Sequence, residues 1–299
     1  MQPLFIGLGE LLWDLLPTGR QLGGAPANFA YIASLLGNRS AVLSRVGSDD
    51  LGREARDRCS ALGLDISHLQ SDPARPTGTV NVTLDAQGIA DFEIVENVAW
   101  DNLEWTPDLK TLAALADVVC FGSLAQRREP ARSTIQQFLR TTRESCLRIF
   151  DVNLRQNYYT PVILKTGFAL ATVVKMNHVE LPIVLSSVGL APTEDEQADA
   201  ELLLEHYGLE LVCITRGASG SILVSRKGNS DHSGFRVKVA DTVGAGDAFT
   251  ATLAHGCRNG FSLEAINEAA NRMGAWVASQ PGATPSGIPE DLLRAVAAH

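Results

Sequence analysis

Two aspartates bracket a bare turn in DTVGAGDAFT, residues 241–250, and the second of them, Asp247, stands where an apolar helical pattern begins. Gly244, Ala245 and Gly246 carry nothing larger than a methyl group, so the free N–H groups of a helical first turn would stay open to a ligand, and the helix dipole would favour an anion. The same dipole would keep Asp247 ionised and ready to accept a proton. A carboxylate beside a bound phosphate is repulsive, so anion binding alone is poorly served by this choice. Phosphoryl transfer to a hydroxyl needs both parts together, a positioned base and donors for the oxygens of the moving group. The residues equally suit a helix N-terminal Asp whose small neighbours pack closely on a sheet. The turn by itself does not separate the two.

A matching element lies near the other end, in QLGGAPANFAYIASLLG. Gly23 and Gly24 would let a ligand approach the main chain, and Asn28, at the opening of a helix, can both donate to and accept from a polyol. Upstream, the carboxylate of Asp14 in ELLWDLLP can accept from two sugar hydroxyls. Taken singly, Asn28 is also an ordinary helix cap and Asp14 an ordinary solvated charge.

The elements that must position these residues are legible as alternation. LFIGLGEL, AVLSRVG, DVVCFGS, LRIFDVN, TVVKMN and LELVCIT read as strands, with amphipathic stretches between several of them, which predicts an α/β fold with a mainly parallel central sheet flanked by helices on both faces. ITRGASGSILVS adds a strand pair at the end of the sheet. Residues 77–97 break the pattern: two β runs with a turn and no helix predict a small β lid within a single domain spanning 1–299. Thr193 and Glu196 have the spacing of a capping box, and Pro289 opens the last helix.

The chain has 299 residues, 45% of them hydrophobic, enough for one sizeable core. A net charge of −9 offers no basic face for nucleic acid or anionic lipid, so any anion site must be local. Glu10 and Asp14 interrupt the apolar amino-terminal run, which argues against a signal peptide or membrane span and for a cytoplasmic protein. The five cysteines, Cys59, Cys120, Cys146, Cys213 and Cys257, form no CxxC pair and read as buried free thiols. GLGELL is only a fragment of a dinucleotide fingerprint, since Leu12 stands where the third glycine belongs.

GGAPANFA together with DTVGAGDAF resembles the two signature regions of the ribokinase-like (PfkB) carbohydrate kinases, the fructokinase branch in particular, over nearly the whole chain. The resemblance implies an ATP-dependent sugar kinase with Asp247 as catalytic base and Gly244, Ala245 and Gly246 as anion hole. It implies sugar contacts at Asp14, Gly23, Gly24 and Asn28. KMNHVEL resembles the family's NxxE motif, implicating Asn177 and Glu180 in holding Mg2+, although the usual run of acids after it is missing. ITRGASG resembles the nucleotide turn, with Thr215, Gly217 and Gly220 near ATP and Asn271 near its base. Asp241 and Thr242 resemble the monovalent-cation site of many members, where K+ would bind; Val243 stands where Thr is common. DVNLR is similar to a segment of fructokinases and 2-keto-3-deoxygluconate kinases, in which Arg155 would reach a sugar oxygen, a carboxylate or a phosphate; a structural ion pair is its other use. Exposed strand edges need covering, and a homodimer formed through the lid would do this.

Overall fold

The computed structural model describes residues 2–16, 19–84 and 90–297. In chain order it contains β1 (Leu4–Leu8), β2 (Leu12–Leu16), β3 (Gly19–Gly23), α1 (Ala25–Leu35), β4 (Arg39–Leu43), β5 (Arg45–Gly47), α2 (Asp50–Ala61), β6 (Gln70–Asp72), β7 (Gly78–Leu84) and β8 (Ala90–Ile94). There follow α3 (Pro107–Leu115), β9 (Val118–Phe121), α4 (Ala131–Thr141), β10 (Leu147–Asp151), α5 (Pro161–Leu170), β11 (Val173–Asn177), α6 (Glu180–Val188) and α7 (Glu196–Tyr207). The chain closes with β12 (Leu211–Thr215), β13 (Ser221–Ser225), β14 (Gly228–His232), α8 (Ala245–Asn259), α9 (Leu263–Ala278) and α10 (Glu290–Ala297).

The central sheet has eight strands in the order β14-β13-β12-β11-β10-β9-β1-β4. From β4 to β12 neighbouring strands run parallel; β13 and β14 then reverse as antiparallel hairpin strands. Alternate side chains serve opposite faces, as a period of two requires. Leu4, Ile6 and Leu8 of β1 join the core beneath α3 to α7, with Phe138, Phe168, Leu185 and Leu203. Phe5 joins the other core, with Phe29 of α1, Phe249 of α8 and Met273 of α9. Gly7 is where α1 lies against the sheet: a Cβ there would run into the Pro26 carbonyl. The glycines of GLGELL thus serve packing.

A smaller sheet, β3-β2-β7-β8, stands apart. β7 and β8 are the two runs expected within 77–97 and pair antiparallel, Val80 opposite Ile94; residues 85–89 between them lie outside the described residues. The sheet is larger than expected, because β2 and β3 contribute half its strands and β2 pairs with β7 in parallel. AVLSRVG is likewise two strands, β4 in the main sheet and β5 paired with β6.

The helix ends correct one expectation. The cap of α7 is Asp195, whose carboxylate accepts from the N–H groups of Gln197 and Ala198. Thr193 stands outside the helix: its Oγ1 accepts from Asp195 N–H at 3.1 Å, and its own N–H and hydroxyl donate to Asp199, both at 2.9 Å. Pro289 sits just ahead of α10, where its carbonyl accepts from Leu293 N–H at 2.9 Å. Four of the cysteines are buried and Cys257 half-buried, all as free thiols. No helix among the described residues is long and apolar enough to cross a membrane.

Candidate active site

The carboxyl ends of parallel strands, where an open α/β sheet usually receives ligands, gather most of the chemistry here. The turn before α8 is built for close approach. Gly244 caps the helix in the left-handed region, φ 78°, and a Cβ on it would stand 2.5 Å from the Ala283 methyl carbon. Only glycine meets both conditions. Ala245 and Gly246 begin the helix; the Ala245 N–H turns back to the Thr242 carbonyl, while those of Gly246 and Asp247 belong to the unpaired first turn.

Asp247 is enclosed by protein on most sides and keeps a partly exposed edge toward a cleft. Asn28 on α1 donates its Nδ2 proton to Asp247 Oδ2 at 2.8 Å, tying together the two motifs that lie 219 residues apart. Burial pushes the Asp247 carboxyl up to about 6, helped by the negative charge of Asp151 and opposed by the Asn28 hydrogen bond, Lys175 and Arg155. The group is therefore ionised near neutral pH yet retains far more affinity for a proton than a free carboxylate, as a general base requires.

Beneath the turn lies a network the sequence motifs did not announce. Lys175 on β11, 7% exposed, places Nζ 3.2 Å from both oxygens of Asp151 on β10, itself 4% exposed. Thr250 Oγ1 donates to Asp151 Oδ2 at 2.8 Å and lies 2.9 Å from the Gly246 carbonyl. The cleft in front is lined by Glu10, Pro26, Phe121, Ser123, Asn153 and Asp247, among others. Glu10 is 5% exposed, and burial pushes its carboxyl up to about 7, with Arg155 and Arg127 opposing and Asp247 reinforcing. Its Oε2 has no hydrogen-bond partner among the described residues. A lysine in the apolar run VVKMN and an acid directly after GLG were the available signals for these residues.

The other expected positions divide. Asp14 lies in β2 opposite Gln21, and a Cβ on Gly23 would come 2.5 Å from its Oδ2, so Gly23 leaves that carboxylate room. Gly24, φ 114°, is the cap residue of α1. Arg155 is exposed, donates from Nη1 to the Leu154 carbonyl at 3.1 Å, and projects its charge onto Glu10, Asp14 and Asp247. Asp14, Arg155 and Asp247 thus share one electrostatic neighbourhood.

Asn177 and Glu180 embrace each other's backbone. Asn177 Oδ1 accepts from the N–H groups of Val179 and Glu180, both at 2.9 Å, while Glu180 Oε2 accepts from Asn177 N–H at 2.8 Å. Glu180 Oε1 accepts from Leu154 N–H at 2.7 Å, which fixes the loop carrying Arg155. Asn177 stands in register with Thr215, at the end of β12, so the NxxE segment and the ITRGASG turn are neighbours. Gly217 and Gly220 take φ 58° and 83°, and a Cβ on Gly220 would collide with the His232 carbonyl. Asn271 is less available: its Nδ2 donates to Ser221 Oγ and to the carbonyl and Oδ1 of Asn267, in a buried network under β13 and β14. Asp241 joins two loops, with Oδ1 accepting from Val243 N–H at 3.0 Å and Oδ2 from Gly282 N–H at 3.2 Å; the Thr242 carbonyl accepts from Ala245 N–H at 3.3 Å.

Comparison with known proteins agrees with this geometry. A family model described as "pfkB family carbohydrate kinase" matches residues 17–291. A fructokinase of Salmonella typhimurium is 34% identical over 82% of this chain and 81% of its own, and a fructokinase of Escherichia coli is 31% identical over 92% and 93%. The crystal structure of the Vibrio cholerae O395 fructokinase with fructose, ADP and calcium bound superposes with a TM-score of 0.82, at 27% identity over 99% of each chain. The matched residues take in both glycine turns and Asp247, and the chain belongs to the pfkB family of carbohydrate kinases.

Proposed function

We propose that this kinase transfers the γ-phosphoryl group of ATP to a primary hydroxyl of a sugar, with D-fructose as acceptor and fructose 6-phosphate as product. The observation that carries the reading is Asp247: a carboxylate at an unpaired helix terminus, gripped by Asn28 at 2.8 Å and raised to about 6 by burial. The acceptor hydroxyl gives its proton to Asp247 as its oxygen bonds to the γ-phosphorus; the bond from that phosphorus to the β–γ bridging oxygen breaks, and ADP leaves with the electron pair. The N–H groups of the Gly244–Gly246 turn receive the charge that develops on the transferring oxygens. Asp14, Gly23, Gly24, Asn28 and Arg155 hold the sugar, while Thr215, Gly217 and Gly220 border the nucleotide, with Asn271 behind them under the same strands.

Asn177 and Glu180 offer only hard oxygen donors, and each oxygen already accepts a backbone N–H bond. That set fits Mg2+ retained through its water shell better than a stripped ion. When bound, magnesium neutralises charge on the β- and γ-phosphoryl oxygens. Asp241 and Thr242, also oxygen donors, would hold K+ beside the turn. The small sheet β3-β2-β7-β8 is the lid in this reading, its closure over the sugar excluding water as a competing acceptor.

The fructokinase relatives support the choice of sugar. The second reading, a kinase of 2-keto-3-deoxygluconate, rests on Arg155, whose charge bears on Asp14 and Asp247 and whose fork suits a carboxylate. A panel of fructose, 2-keto-3-deoxygluconate, ribose and a nucleoside with coupled ADP detection decides between them. Fructose should give the highest kcat/KM; a tenfold advantage for any other acceptor reassigns the substrate.

A further inference from the structure

The roles above leave Lys175, Asp151 and Thr250 without a task, and stability alone does not explain them. Replacing a buried ion pair with apolar side chains is often neutral or stabilising, and Lys175 sits among Val173, Val174 and Met176, all buried, where an apolar residue would fit the strand. The pair lies directly under the turn instead: a Cβ on Gly246 would come 3.2 Å from Lys175 Nζ. Thr250 completes the link. Its hydroxyl lies 2.8 Å from Asp151 Oδ2 and 2.9 Å from the Gly246 carbonyl, so its one proton is shared between the carboxylate and the turn.

We propose that Lys175, Asp151 and Thr250 form a charge-balanced support that fixes the Gly244–Gly246 turn and the Asp247 carboxylate, making all three positioning residues for phosphoryl transfer. The inference rests on Asp247 being the base. The groups bearing on Asp247 are Asn28 from α1, Glu10 after β1, Cys120 from β9, Asp151 from β10, Arg155 in the following loop and Lys175 from β11. Among them Asp151 and Lys175 act in opposite senses, the first favouring a proton on Asp247 and the second opposing it. Their removal singly must displace the base in opposite directions, and their removal together must nearly cancel. Loss of packing alone has no sign and gives no such reversal.

The test is a cycle of Lys175→Met, Asp151→Asn and the double variant, with Thr250→Val alongside. In kcat/KM against pH, Lys175→Met should move the acid limb up by about one unit, a roughly tenfold loss below the limb, and Asp151→Asn should move it down by a similar amount. The double variant should return it to the parental position. Thr250→Val should lower kcat several-fold with KM for ATP unchanged. Shifts of the same sign, no shift in either single variant, or a displaced double variant overturns the proposal. If one single variant does not fold, the other decides by the sign of its shift: up for Lys175→Met or down for Asp151→Asn supports the balance, and no shift or the opposite sign refutes it. Carboxyl-resolved NMR titration of Asp247 gives the same readout without turnover, so a parent enzyme that phosphorylates no acceptor would sink the assigned function while leaving this cycle to be judged.

Discussion

Replacing Asp247 by Asn separates its chemical role from its structural one, because the two predict opposite consequences. The carboxyl is raised from 3.8 to about 6 in the folded protein. A raised carboxyl binds its proton more tightly folded than unfolded, so its contribution to stability is fully present below the unfolded value and is lost as pH rises through the folded value. At pH 8 the ionised group therefore costs about 3 kcal/mol, at 1.36 kcal/mol per unit, and somewhat less with its partly exposed edge screened by solvent. By pH 5 the cost falls to about half. Asn carries none of it, and its side-chain oxygen can still accept from Asn28. The variant should thus be more stable than the parent by about 1–3 kcal/mol at pH 8, with a smaller gain at pH 5, read from urea midpoints at each pH. Over the same range kcat should fall by about 10²–10⁴, with nucleotide affinity nearly unchanged. Near-parental turnover would refute the base assignment. Lower stability at pH 8 would refute the electrostatic account, because it would mean that the ionised group holds the site together.

Three further outcomes test other parts of the site. Gly244→Ala places a Cβ at φ 78° and 2.5 Å from the Ala283 methyl carbon, so it should cost about 2–4 kcal/mol and most of the activity; an unchanged urea midpoint would show that the turn yields. Glu10→Gln removes a group pushed up to about 7 that adds a second negative charge near Asp247 as pH rises, and it should flatten the fall of kcat/KM above neutral pH. An alkaline limb identical to the parent's would rule that out. Arg155→Ala should reduce kcat/KM for a sugar acid at least about tenfold more than for neutral fructose; equal losses on both acceptors would assign Arg155 to general electrostatics.

What could be read beforehand follows from how local each signal is. The parallel strands announced themselves because a strand buried on both faces must be apolar throughout, as VVCF and LVCIT are. The two glycine turns were legible because their backbone demands exclude other residues. Their meeting was not, since the Asn28 to Asp247 bond spans 219 residues and no periodicity encodes it. Lys175 and Asp151 were hidden for the same reason: they lie in different strands, and only parallel pairing of β10 and β11 makes them partners. β2 and β3 escaped because LWDLL and GRQLG lack clean alternation, β2 being buried or half-buried throughout and β3 mostly exposed. Thr193 gave a false cap because Asp195 takes the helix N–H groups while Asp199 holds Thr193 itself, and a spacing rule does not rank them. Asn271 shows the converse, a polar residue of α9 expected near the nucleotide whose amide is spent on Asn267 and Ser221.

The small sheet also has a mechanical meaning. Its strand β3 ends at Gly23, one peptide link from the Gly24 cap of α1, and Asn28 follows on the first turn of that helix. In the proposed reading, a tilt of the sheet toward an incoming sugar would be delivered, over a handful of bonds, to the amide that grips the proton acceptor. Substrate arrival and the aim of the base would then be geared to one another by the shortness of this tether.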